Sequence, residues 1–517
     1  MIKFFIDDMP VESNPGETIL KAAEKIGIHI PHLCYHPAFP PEGTCRMCLV
    51  EIEGAPKLEL ACSTQVRDGM KVYTKSESVV EARKAVLEFL LTEHPLDCPI
   101  CDQAGDCKLQ DYYEEYGLFE GHFIEEKDRH DKKVSLGKNL LHDQERCILC
   151  RRCVRFLREV TKTGEMGVFE RSNKTEVNIL EGQTIDNNYS GNLAQLCPVG
   201  AITDTDFRFK SRTWFLKKGV SICPLCSRGC RISVQYLPEN PRFKVPRKVL
   251  RIQAEENQQI NGYWICDYGR YGYDYLNTDR ANEIISHELD PACGWEKTED
   301  VISEKIKRLL YKEKTSHIAL ILSSWLTNEE LFLIKKIFKE DLKVDDIHFV
   351  DPNDAESDEI LLTAERSPNR RGAKEIGFDL SPIKIDDLAA KKIDLLLIFD
   401  SFLAEKVGSS ELKECLNRIE SKVLVSPRKS ELDSIVDLSL PSVYPAEKKG
   451  SWVNVDGIIQ HFDPVFEGPG ESRSQGDILI SIAKKIGLNF RFYNQFKNID
   501  RIYQEMKKEI SFFQEEK

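Results

Sequence analysis

The stretch CILCRRCVRF runs from Cys147 to Phe156, and CPVGA runs from Cys197 to Ala201. Three thiols within seven residues can wrap one corner of a [4Fe–4S] cubane, and a distant Cys-Pro can close it. A tetrahedral zinc site rarely draws three ligands from so tight a run. The spacing therefore predicts one cubane on Cys147, Cys150, Cys153 and Cys197. Arg146, Arg151, Arg152 and Arg155 flank the run. They could offset the negative charge of a cluster and favour its reduction, but most are expected to form a solvated face.

In two-cluster ferredoxins the Cys-Pro cysteine serves a second cluster, whose other three cysteines precede it. Here those positions are Asn187, Ser190 and Leu193, none of which ligates as a thiolate. One cluster remains in this segment.

The rest of the cysteines follow the same logic. The chain has 17, of which all but Cys293 and Cys415 precede residue 267. Cys34, Cys45, Cys48 and Cys62 are spaced C-x10-C-x2-C-x13-C in a small β-rich segment, a pattern suited to a [2Fe–2S] rhombus, with structural zinc as the alternative. Cys223, Cys226 and Cys230, with Cys266 further on, form another [4Fe–4S] pattern, with structural zinc as the alternative. Between them HPLDCPICDQAGDC, from His94 to Cys107, holds only Cys98, Cys101 and Cys107. A fourth donor is missing, and His94 stands close by; imidazole binds iron in Rieske centres. As a neutral donor it would remove one negative charge from the site, which alone raises the potential. His36 and His142 are read as structural, because their neighbouring sets already have four thiols. Cys293 and Cys415 are read as ordinary buried cysteines.

Organisation along the chain agrees. Strands are expected at Ile2–Ile6 and Val11–Ser13, followed by a helix over ETILKAAEKIG with Thr18, Ala22 and Ile26 on one face and Gly27 as its stop. A second helix is expected from Ser78, with a capping box to Glu81, an apolar face of Ala82, Val86, Phe89 and Leu90, and an end at Pro95. Beyond residue 280, the runs HIALILSS, DIHFVD, IDLLLIFD and KVLVS read as buried strands. They alternate with helices over NEELFLIKKIFKEDL and SSELKECLNRIESK, which predicts a parallel α/β sheet covered on both faces. No run reaches the ~18 apolar residues of a membrane helix, and the N-terminus lacks a signal or transit pattern. The net charge of −13 argues against a general nucleic-acid binder. A soluble, intracellular protein in a reducing compartment is expected, where cysteines serve metals more often than bridges.

A row of clusters is what single-electron tunnelling requires. No G-x-G-x-x-G follows an expected strand, so flavin and NADH are expected on a partner. The order of the first three sets, with HPLDCPICDQAGDC and CILCRRCVRF…CPVGA, resembles the large iron–sulphur subunits (the G subunits) of NADH:quinone oxidoreductase, respiratory complex I. CDYGRYGYDYLN after the fourth set is similar to the bacterial branch that keeps an extra [4Fe–4S] site. VDLSLPSVYPAEKKGSWVNVDGIIQHFDP, from Val436, resembles the end of a molybdopterin-oxidoreductase domain.

That resemblance implies an α+β multidomain protein. Its parts would be an N-terminal β-grasp [2Fe–2S] ferredoxin domain (1–78), a module with one histidine and three cysteine ligands (79–120), and a ferredoxin-like [4Fe–4S] domain (138–212). A molybdopterin-oxidoreductase-type [4Fe–4S] domain (215–275) and a reduced α/β domain without molybdopterin (280–517) would follow. It further implies one [2Fe–2S] and three [4Fe–4S] clusters and no catalytic residue in this chain. FMN would sit on an NADH-binding partner, with quinone-side iron–sulphur subunits beyond. The chain itself would have no membrane span, lying peripherally on the cytoplasmic side of a bacterial inner membrane. The alternatives are the relay subunit of a soluble NAD-linked hydrogenase or formate dehydrogenase, and a zinc-stapled scaffold.

Overall fold

The computed structural model describes the whole chain apart from residues 118–119, 290–292, 381–387, 389–390, 400–401, 407–408, 489–491, 494–498 and 516–517. It divides into two compact units, Met1–Leu216 and Lys217–Lys517.

The first unit opens with a five-stranded sheet in the spatial order Met9–Ser13, Ile2–Ile6, Lys71–Tyr73, Leu49–Ile52, Glu59–Leu60. Ile2–Ile6 pairs antiparallel with Met9–Ser13 (Ile2 opposite Ser13) and parallel with Lys71–Tyr73. Alternation of Phe4 and Ile6 toward the core follows from the two-residue period of a strand. The helix Ile19–Lys25 packs Ile19, Leu20, Ala22 and Ala23 into that core. Thr18 caps it by accepting the Lys21 N–H, and Gly27 stops it at φ +77°. Of the expected face, Ala22 is buried and Ile26 is exposed. Sheet and helix together form the β-grasp domain.

The second helix, Glu77–Leu91, departs from expectation in three ways. It starts one residue before Ser78, with Ser76 at the N-cap and no side-chain cap bond; the Ser76 and Ser78 hydroxyls meet at 3.1 Å, and Ser78 donates to Glu51 at 2.7 Å. It ends before Pro95, with Thr92 as its C-cap. Its fully buried residues are Val79, Arg83 and Leu87, while Phe89 is 79% exposed. Arg83 fixes this rotation: its guanidinium donates to the Leu49 carbonyl and to the Tyr116 hydroxyl, so the polar residue faces inward. Val86 and Leu90 still pack partly against the core. The rest of the unit holds a small sheet of Val134–Ser135, Leu140–His142 and Ile202–Asp204, the hairpin Met166–Phe169 with Glu176–Ile179, and the helix Arg152–Glu159.

The second unit begins with an antiparallel sheet of Lys217–Ile222, Arg231–Leu237 and Lys248–Ala254, followed by the helix Asp267–Tyr271. Then comes a six-stranded sheet ordered Ile285–Ser286, Leu438–Pro441, Ser421–Ser426, Leu395–Phe399, Ile318–Leu322, Ile347–Phe349. All its pairings are parallel except Ile285–Ser286 with Leu438–Pro441. Its central strands send alternate residues to two separate cores: Ile318, Leu320 and Leu322 to one, Ala319 and Ile321 to the other. Burial on both faces explains why these strands read as unbroken apolar runs. The helix expected over NEELFLIKKIFKEDL is α-helical over Asn328–Ile334 and continues as a π-helix over Lys335–Asp341. The helix expected over SSELKECLNRIESK forms at Ser409–Leu416.

Candidate iron–sulphur sites

Within each of the four sets that the sequence spacing groups, thiols act on one another. Cys34, Cys45, Cys48 and Cys62 are all buried. Cys45 accepts the N–H groups of Leu33 and Cys34 at 3.4 Å each. The Cys45 thiol bonds to Cys34, drawing Cys34 down to about 5 and holding Cys45 up. Cys48 and Cys62 form a second such pair, with Cys62 drawn down and Cys48 held up. The central C-x2-C turns at Arg46, in the left-handed region with φ +59°.

In the third set, Leu149 (φ +54°) and Arg151 (φ +59°) are likewise left-handed, which is uncommon outside glycine. Alternating right- and left-handed residues turn successive N–H groups to one side, making an anion-binding nest of the kind found at many iron–sulphur sites. The N–H groups of Leu149, Arg152 and Val154 point at Cys147, Cys150 and Cys153 respectively. Those of Val199, Ala201 and Ile202 point at Cys197. Burial pushes all four thiols up, Cys150 to about 12, and repulsion from neighbouring thiolates adds to this at Cys147, Cys150 and Cys153. Such a site becomes anionic when a metal replaces the protons.

The second set gathers on the short 3-10 turn Cys98–Ile100 and the N-cap of Lys108–Tyr116, which is Cys107. Cys98 is exposed, whereas Cys101 and Cys107 are buried. Asp97 and Arg146 lie beside both His94 and Cys101. Burial pushes the His94 imidazole down to about 4, with Asp97 opposing it. Its Nδ1 is buried and has no hydrogen-bond partner, which leaves that lone pair free for a metal. Gly200, from CPVGA, leaves room for a thiol of this set: a Cβ there would stand 2.2 Å from Cys101 Sγ. The apolar cluster around Cys34, Cys45, Cys107 and Cys150 also takes in Cys147 and Cys197, so three sets share one core.

In the second unit, Cys223, Cys226, Cys230 and Cys266 are all buried. Burial first, and then repulsion within the set, push Cys223, Cys230 and Cys266 up, Cys266 to about 12. Cys266 caps the helix Asp267–Tyr271 by accepting the Gly269 N–H at 3.4 Å, and a Cβ on Gly269 would meet Cys223 Sγ at 3.0 Å. Gly229 takes φ +65° in the CSRGC turn. Among the described residues no three His, Cys, Asp or Glu side chains converge on one ion-sized point. A cluster does not ask for that, since its protein ligands are spread over several irons.

The four arginines are not a solvated face. Arg146, Arg152 and Arg155 are buried, and Arg151 is half-buried. Carboxylates that meet them include Asp97 and Glu42, far off in sequence and beyond reach of a spacing argument. His142 is buried with neither ring nitrogen hydrogen-bonded. Cys415 is buried as expected, and Cys293 is half-buried.

At the carboxyl ends of the parallel strands, where such sheets bind ligands, Ser323, Trp325, Phe399, Tyr444 and Lys448 line a cavity of about 30 Å³. That admits a water, far less than the ≈ 300 Å³ of a small cofactor pocket. The stretch from Val436 fills this end with buried ion pairs: Glu447 with Arg280 (2.6 Å) and Arg247 (2.9 Å), and Lys448 with Glu330 (2.7 Å).

Comparison with known families gives four successive matches. Residues 1–77 match the family described as a 2Fe-2S iron-sulfur cluster binding domain, and 83–122 the NADH-ubiquinone oxidoreductase-G iron-sulfur binding region. Residues 137–203 match the NADH-quinone oxidoreductase subunit 3 ferredoxin-like domain, and 216–278 the molybdopterin oxidoreductase Fe4S4 domain. The chain is therefore an iron–sulphur protein with both [2Fe–2S] and [4Fe–4S] domains.

More particularly, it is a homologue of the G subunits of NADH-quinone oxidoreductase. It is 36% identical to the G 2 subunit of Rhizobium meliloti over 67% of this chain and 40% of that protein. It is 36% identical to the 75 kDa NADH-ubiquinone oxidoreductase subunit of Reclinomonas americana, over 66% of this chain and 48% of that one. For the G subunit of Streptomyces coelicolor the figures are 34%, 68% and 41%. The chain spans less than half the length of these relatives. Among solved structures, a chain of an NAD+-reducing [NiFe]-hydrogenase in the H2-reduced state is 30% identical, covering 41% of this chain and 91% of that one, with a TM-score of 0.38. A superposition that loose bears on neither fold nor function. No described helix is long and apolar enough to cross a membrane.

Proposed function

We propose that this chain relays single electrons from a flavin-bearing, NADH-oxidising partner toward quinone, as the large iron–sulphur subunit of an NADH:quinone oxidoreductase. Cys34, Cys45, Cys48 and Cys62 would hold a [2Fe–2S] cluster. His94 with Cys98, Cys101 and Cys107, Cys147 with Cys150, Cys153 and Cys197, and Cys223 with Cys226, Cys230 and Cys266 would each hold a [4Fe–4S] cluster. Bound there, such clusters take up and release one electron at a time.

The observation that carries the reading is one apolar core shared by thiols of the first three sets. The backbone nests supply N–H groups to the sulphurs, the apolar packing excludes water, and the buried Arg152 supplies positive charge. The flavin subunit and quinone-side iron–sulphur subunits would be the partners, in a peripheral arm on the cytoplasmic side of the membrane.

The test is to tag the chain in its native host, solubilise the membranes gently and identify what copurifies. A flavin subunit together with polytopic membrane subunits is expected. Recovery from the soluble fraction with a hydrogenase or formate dehydrogenase module would overturn the proposal.

A further inference from the structure

Three of the four arginines around the third set have carboxylate partners. Arg146 meets Asp97 at 2.7 Å and Asp143 at 3.3 Å. Arg151 meets Glu42 at 3.2 Å, and Arg155 meets Glu42 at 3.7 Å and Glu159 at 3.6 Å. Arg152 differs. It is 6% exposed, and among the described residues no carboxylate lies within ion-pair distance of it. A buried charge without a counter-charge is strongly unfavourable. Since a guanidinium does not lose its proton in a protein, the charge cannot be relieved by titration.

The position of this charge says what balances it. Arg152 Nη1 donates to the Leu196 carbonyl at 3.2 Å, and Nη2 donates to the Tyr35 carbonyl. Leu196 precedes Cys197 of the third set, and Tyr35 follows Cys34 of the first. Nε is buried and has no acceptor in the protein. One fork thus spans two thiol sets. Thiols of both sets, Cys34 and Cys45 of the first and Cys150 of the third, lie in one apolar core.

We propose that Arg152 is the shared counter-charge of the first and third clusters, stabilising the added electron on either one and so raising both reduction potentials together. This rests on the ligand assignment proposed above. Arg146, Arg151 and Arg155 cannot play the part as fully, because carboxylates already neutralise them. The two clusters would also sense each other: an electron on one uses part of the field that would stabilise an electron on the other.

The experiment is a redox titration of the full chain, purified anaerobically and followed by electron paramagnetic resonance. Signals are assigned by their loss in Cys45→Ser (first set) and Cys150→Ser (third set). In Arg152→Gln, reduction at both sets should become at least tenfold less favourable, a fall of about 59 mV or more for a one-electron couple, while the fourth set is unmoved. Arg152→Lys keeps the charge but not the fork, and should hold both potentials within about threefold of wild type, roughly half that shift. A purely structural arginine would lower cluster content in both variants without moving the potentials of the clusters that remain. Unchanged potentials in Arg152→Gln, or a shift at one set alone, overturn the proposal. If Arg152→Gln fails to hold its clusters, Arg152→Lys decides: wild-type potentials support the charge, and a tenfold shift or the same loss of clusters overturns it. Absence of both signals from the wild-type chain would instead refute the ligand assignment beneath it.

Discussion

Replacing Gly200 by alanine adds one methyl group, and the structure says where that methyl goes. The new Cβ would stand 2.2 Å from Cys101 Sγ, 3.2 Å from Gln103 Cβ and 3.7 Å from Arg146 Cδ. Non-bonded heavy atoms pack at about 3.5–4 Å, so the sulphur must retreat by more than about 1 Å. A metal–ligand distance tolerates about 0.2 Å. The backbone cannot yield instead, because Gly200 lies between Val199 and Ala201, whose N–H groups point at Cys197. Arg146 is also pinned, by Asp97 at 2.7 Å. Gly200 does not need a left-handed conformation, so alanine brings no backbone strain and the effect is steric. The expected result is a folded chain that has lost the second-set cluster, with iron falling from about 14 to about 10 per chain. Iron analysis and resonance spectra on anaerobically purified protein read this directly. A Gly200→Ala chain with about 14 irons and an unaltered second-set signal would refute the reasoning, since Cys101 could not then be a ligand in this position.

Three further outcomes follow from other parts of the molecule. Cys230→Ser should remove about four irons while leaving the spectra of the first three sets unchanged, because Cys230 belongs to the other compact unit; loss of all signals would count against separate sites. Glu447→Gln should leave the largely buried Arg280 and Arg247 without their shared carboxylate, costing about 3–5 kcal/mol in chemical denaturation of Lys217–Lys517. A loss below about 1 kcal/mol would show that the arginines are solvated or repartnered. For His142, burial pushes the folded imidazole from 6.5 to about 4. Protonation therefore favours the unfolded chain: the contribution is whole above the ordinary 6.5 and is lost as pH falls toward about 4. At about pH 5 the loss is about 2 kcal/mol. His142→Phe should flatten the decline in denaturation midpoint between about pH 7 and pH 5, and an undiminished decline would place the titrating group elsewhere.

What could be read from the sequence was local. Thiol spacing groups the cysteines into four sets, since a cluster would impose short, fixed separations on its ligands, and the folded chain buries thiols of each set. The parallel sheet was legible because strands covered on both faces must be apolar throughout, as in Leu395–Phe399. The failures share a different cause. Arg83 turns its helix by bonds to Leu49 and Tyr116, so Phe89 faces outward despite its helical spacing with Val86. Ser78 finds Glu51 rather than its own helix end. The contact of Gly200 with Cys101 and the fork of Arg152 between Tyr35 and Leu196 each join residues many positions apart. Local patterns fixed neither, because both depend on how separately folding segments meet.

The central claim is that four ligand sets hold iron–sulphur clusters, and its most direct test is elemental. The wild-type chain, purified without oxygen, should contain about 14 irons and an equal amount of acid-labile sulphide, with zinc near background. About four zinc ions per chain, with no sulphide, would contradict the account and return the cysteines to a structural role.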